Sequence, residues 1–120
     1  MSRARYDVAR AHLAEGMVLS LETGDHANLA YFLDAQAVLE AADGTHSRVP
    51  LLLGAAQGIR EAIGSRGYGY YRPDPAAPLE AADQARRHLG ADRYDDALDL
   101  GRAMTPEDAA RLVSGDRLQA

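Results

Sequence analysis

Four histidines, at positions 12, 26, 46 and 88, are the residues best suited to hold a metal or move a proton. Their spacing fits no metal-ligand pattern. His12 and Glu15 can share a helix face, but one imidazole and one carboxylate do not make a metal site. The carboxylate pairs Asp95–Asp96 and Glu107–Asp108 stand near expected helix starts, where the helix dipole accounts for them without general acid–base catalysis. No Ser/His/Asp arrangement can be assembled from the order of residues. With no cysteine in the chain, neither disulfides nor thiolate ligands are available. The expectation is a non-enzyme without catalytic residues, metal or cofactor.

The most unusual stretch is 65–78, Ser-Arg-Gly-Tyr-Gly-Tyr-Tyr-Arg-Pro-Asp-Pro-Ala-Ala-Pro. Its glycines and prolines rule out a continuous helix. Tyr68, Tyr70 and Tyr71 stand between Arg66 and Arg72. Three readings are open: tyrosines folded back over an apolar ridge, a partner or small-ligand surface, since tyrosine and arginine are enriched at hot spots, or stacking on nucleic acid. Gly67 and Gly69 lack the strand and lysine context of a phosphate cradle. The net charge of −5 opposes a direct nucleic-acid partner.

What must position these residues is a set of helices. Tyr6, Ala9, Leu13, Met17 and Leu21 recur at three- and four-residue steps, which predicts a helix over 5–23 with one apolar stripe. Gly16 weakens it by about 1 kcal/mol unless a neighbour needs the space. Gly24 and Asp25 suit a C-cap and the next N-cap. A second helix is expected over 26–42, burying Leu29, Phe32, Leu33, Gln36, Ala37 and Leu39. A third follows to Ile63, capped by Ser47 and carrying Pro50 in its first turn. Its Gly54, Ala55, Ala56 and Gly58 invite close approach by another helix. Helices over 79–89 and 92–103 come next, the latter turning Tyr94, Ala97, Leu98 and Leu100 inward. Thr105-Pro-Glu-Asp is a strong N-terminal signal for a last helix from Pro106 to Ser114, leaving 115–120 as a frayed tail. Residues 1–64 thus form a three-helix unit, 65–78 a loop, and 79–120 the remaining helices of the same domain. The fold class is all-α, an antiparallel array of five or six helices.

The first and third helices echo each other at an offset of 40 residues, Ala9 with Val49, Leu13 with Leu53 and Gly16 with Ala56. Small, large, small at those spacings resembles the second helix of a tetratricopeptide (TPR) repeat, although the offset exceeds the usual period of about 34. The stretches Leu-Leu-Gly-Ala-Ala-Gln (52–57), Leu-Ser-Leu-Glu-Thr-Gly-Asp (19–25) and Gly-Arg-Ala-Met-Thr-Pro-Glu-Asp-Ala (101–109) resemble the C-terminal part of actinobacterial LuxR-type, ATP-binding transcriptional regulators. The resemblance implies a TPR-like sensor or scaffold region. It does not bring ATP hydrolysis or DNA binding, because neither a Gly-Lys-Ser/Thr loop nor a helix-turn-helix segment is found here.

On this reading the first helix lacks its preceding partner. The array would then expose Tyr6, Leu13 and Met17 at one edge and form a homodimer through the N-terminal helix. Asn28, Tyr31 and Ala35 recur along the side of the second helix that such arrays turn towards a protein partner or small effector. The expected function is a cytoplasmic, non-catalytic sensor or protein-interaction module. The alternative is a stand-alone protein that sequesters a small molecule under the tyrosine loop. No membrane partner is expected, as no apolar run approaches the ~18 residues of a span.

Overall fold

The computed structural model describes residues 3–64 and 76–119, with side chains described from 4 to 64 and from 76 to 112. The described chain is all-α. Helix α1 runs Arg3–Thr23 and α2 runs His26–Ala42. Gly24 turns the chain between them at a positive φ of 75°, and the Asp25 carboxylate caps α2 by accepting from the Asn28 amide at 3.1 Å. A 3₁₀ turn, His46–Arg48, leads into α3, Val49–Ile63. After the segment outside the described residues come α4 (Ala76–Leu89), α5 (Ala91–Arg102) and α6 (Pro106–Gln119).

Four local expectations are corrected. Ser47 does not cap α3, which starts after the 3₁₀ turn with Arg48 at the N-cap position and no side-chain cap. Helix α4 begins at Ala76 rather than at 79, because Pro78 falls in the first turn, where its missing N–H costs nothing. Leu100 is exposed: Tyr94, Leu98 and Gly101 form the inward line of α5, and Leu100 sits one residue, about 100° of rotation, away from it. Helix α6 continues to Gln119, since a lone glycine at 115 costs about 1 kcal/mol against alanine but does not end a helix. The Thr105 cap stands, its hydroxyl accepting from the Asp108 amide at 3.1 Å.

The core is shared by all six helices. Leu29, Leu33 and Ala37 of α2 meet Val49, Leu52, Ala56 and Ile59 of α3, with Met17 of α1, Ala81 and Ala85 of α4, Tyr94 of α5 and Ala109 of α6 closing around them. Helix α3 packs most extensively on α5 and then on α2, and α6 returns to α1 and α2. The helices therefore do not stack strictly in chain order, and α1 is not a bare outer edge. The α3–α5 contact is made by small residues. A methyl group on Gly54 would overlap the Leu98 carbonyl oxygen, one on Gly58 the Arg102 carbonyl, and one on Gly101 the Leu51 carbonyl. Absence of a Cβ at these three positions is what lets the two backbones touch.

Candidate functional site

An open apolar groove lies between α1 and α2. Ala9, His12 and Leu13 of α1 and Ala35, Val38, Leu39 and Ala42 of α2 line an open groove of about 390 Å³. A second, shallower hollow of about 470 Å³ adjoins it on α1, lined by Ala4, Arg5, Val8, Ala9 and His12. Both hollows share Ala9 and His12, so they form one tract along the N-terminal half of α1. The lining is mostly aliphatic, with the His12 imidazole and the Arg5 side chain as its polar groups.

Of the α2 residues singled out from sequence, Ala35 lies in this groove. Tyr31 is at the surface on the same side of the helix, its ring edge-on to Phe32 with centroids 5.7 Å apart. Asn28 has a structural task, donating its side-chain amide to Ser20 Oγ at 3.2 Å. Arg66, Tyr68, Tyr70, Tyr71 and Arg72 lie outside the described residues.

The stripe Tyr6–Leu13–Met17 is not an exposed edge. It faces α2: Met17 is 1% exposed, Leu13 is half-buried in the groove, and the Tyr6 hydroxyl donates to the Ala42 carbonyl at 2.9 Å. The physical reason is that α2 docks along this side of α1. The exposed apolar residues of α1 are instead Val8 (57%), Val18 (44%) and Leu19 (59%), on the opposite side of the helix.

Two clusters were not foreseen. The first is ionic. Glu40, buried near the end of α2, accepts from Arg10 of α1 through Oε1 (2.7 and 3.1 Å) and pairs through Oε2 with Arg48 at 3.2 Å. Arg10 also bonds Asp43 at 2.6 Å, and Arg48 donates to the Leu112 carbonyl of α6. Burial alone would lower the Arg10 guanidinium, but the Glu40 and Asp43 carboxylates reverse this and hold its proton more tightly than usual. One carboxylate thus ties α1 and α2 to the 3₁₀ turn and, through Arg48, to α6. The sequence did carry a signal: Glu40 continues the 29, 33, 36, 37 spacing of the buried face of α2.

The second cluster is a pair of imidazoles 42 positions apart in the chain. His46 of the 3₁₀ turn and His88 in the last turn of α4 stack face to face, with centroids 3.9 Å apart and planes 8° from parallel. His46 Nδ1 is enclosed and has no hydrogen-bond partner among the described residues. Burial, and then the His88 charge, push His46 below the usual histidine range. In stacked rings the nitrogen lone pairs lie in two separate, nearly parallel planes and do not converge on one metal. Among the described residues no group of three or more His, Asp or Glu side chains gathers into a metal site, and no helix is long and apolar enough to cross a membrane.

Comparison with protein-family models, with curated proteins and with solved structures finds no match to the chain.

Proposed function

We propose that the chain is a non-catalytic protein-interaction module of the sensor type, working in the cytoplasm and binding an amphipathic helix of a partner in the α1–α2 groove. The observation that supports this reading is the groove itself. Seven residues from two helices, six of them aliphatic, form an open trough between parallel ridges, the shape that helix-in-groove recognition uses. The likeness of segments 19–25, 52–57 and 101–109 to the sensor region of LuxR-type regulators agrees with it.

Panning a library of amphipathic helical peptides against the immobilised chain tests the proposal. Saturable binders should emerge whose affinity falls at least tenfold with Ala35→Arg or Val38→Glu, which obstruct the groove from α2. Leu100→Glu, on the outside of α5, should leave that affinity unchanged. Binders indifferent to Ala35→Arg, no saturable binder at all, or selective binding of small apolar molecules in their place would overturn the reading.

A further inference from the structure

The exposed face of α1, which meets the α1–α2 groove at His12, carries an ordered pattern. Arg5, Val8, His12, Glu15, Leu19 and Glu22 follow one another at alternating steps of three and four, and all six are exposed. That spacing sets the six in one line along the helix, the geometry of a pairing seam, with Val8 and Leu19 as its apolar members. Its order is self-complementary on reversal. About a midpoint between Leu13 and Ala14, Arg5 stands opposite Glu22, Val8 opposite Leu19, and His12 opposite Glu15. Parallel pairing would set Arg5 on Arg5, Glu15 on Glu15 and Glu22 on Glu22, three like-charged or identical contacts at close quarters.

We infer that α1 pairs with α1 of a second copy of this chain, antiparallel and two-fold symmetric, with Val8 of each copy against Leu19 of the other and Arg5 against Glu22. Three observations select this occupant. Val8, Val18 and Leu19 are half of the large apolar residues exposed on the described surface (the others are Tyr31, Leu79 and Leu100), so apolar exposure concentrates on this helix. The charges flanking them complement their own reversed order, which an unrelated partner would have no reason to match. Every contact is repeated by the two-fold axis, as an isologous interface requires. The seam from Arg5 to Glu22 is about 27 Å long. One helix face of that length falls short of the ~800 Å² per partner of a standard interface, which sets the expected affinity in the micromolar range. The inference rests on the reading of α1 as a binding element; its seam borders the groove, sharing His12 with it, while Arg5 and Val8 line the adjoining hollow.

The chain has no cysteine, so engineered thiols report on register directly. Sedimentation equilibrium from about 10 to 300 μM, a span chosen for a weak interface, should show a monomer–dimer equilibrium. Leu19→Glu should weaken it at least tenfold, Glu22→Arg likewise, and Arg5→Glu combined with Glu22→Arg should restore it. On oxidation, Val8→Cys mixed with Leu19→Cys should cross-link at least tenfold faster than either variant alone. Ala35→Arg, which blocks the groove, should leave the dimer intact, so the dimer and the groove reading fail separately. A monomer throughout the range, a dimer indifferent to Leu19→Glu, or preferential cross-linking of Val8→Cys to itself would overturn the inference.

Discussion

The α1–α2 and α3–α5 contacts solve the same packing problem with opposite materials. Between α1 and α2 the space is filled by side chains: the Phe32 ring lies where a Gly16 methyl would stand, Met17 is buried nearby, and the Arg10–Glu40–Arg48 network closes the far end. Between α3 and α5 the backbones themselves meet, with Gly54, Gly58 and Gly101 each facing a carbonyl of the other helix. A side-chain seam can yield by rotating a rotamer, whereas a backbone seam can yield only by moving a helix. The α1–α2 seam is therefore the adaptable one, and it is also where the groove lies.

Breaking the ionic end of the adaptable seam should have the largest effect. Glu40→Ala leaves two guanidinium groups without their shared carboxylate, and the cost should be about 3 kcal/mol. That lies at the low end for a broken buried pair, because both arginines keep partial access to water. Glu40→Gln should cost less, since an amide oxygen still accepts one bond. Urea denaturation checks both, and equal losses for Ala and Gln would show that packing rather than charge holds this end. Next comes the glycine seam. Gly101→Ala forces a methyl against the Leu51 carbonyl, and the helices must part at a cost of about 2 kcal/mol. Gly16→Ala is the matched experiment on the other side. Its methyl meets the far end of the Phe32 ring, which can swing away, and the helix gains about 1 kcal/mol of propensity in return. The net change should stay within about 1 kcal/mol of zero by that offset. If Gly16→Ala proved as costly as Gly101→Ala, the contrast between the seams would collapse.

How much of this was legible in sequence follows the same division. The glycine seam was readable, because Gly54, Ala55, Ala56 and Gly58 on one helix announce a close neighbour even when that neighbour is unnamed. The α2 boundaries and the Asp25 and Thr105 caps were readable because each rests on residues within four positions. The exposed edge of α1 was misread. Periodicity identified the stripe Tyr6–Leu13–Met17 correctly as apolar, but whether a stripe is covered depends on how α2 docks on it, with Tyr6 reaching Ala42 across 36 positions, and no local pattern records that contact. Separation along the chain likewise hid His46 from His88, and Arg48 from the Leu112 carbonyl. Glu40 was missed for another reason: it lay on the buried period of α2, and a charged residue there went unquestioned although it needs a partner.

The His46–His88 stack offers the finest test of the contrast, since it joins α4 to the 3₁₀ turn through side chains that titrate. His46 is held below its ordinary range first by burial and then by the His88 charge. The unfolded chain therefore binds a proton on His46 more readily than the folded chain does. Its contribution to stability is complete above the unfolded value near 6.5. It is lost as pH falls from there through the lower folded value, and is constant below that. Urea midpoints measured between pH 8 and 5.5 should thus decline on the acid side by an amount small against the Glu40→Ala loss. His88→Gln removes the repulsive charge but not the burial of His46, so it should reduce the decline without abolishing it. Gly101→Ala should lower the midpoints equally across this pH range, because neither α3 nor α5 carries a histidine. A pH profile that steepened in Gly101→Ala would mean that the two kinds of contact are coupled, and that α3–α5 spacing sets how deeply His46 is enclosed.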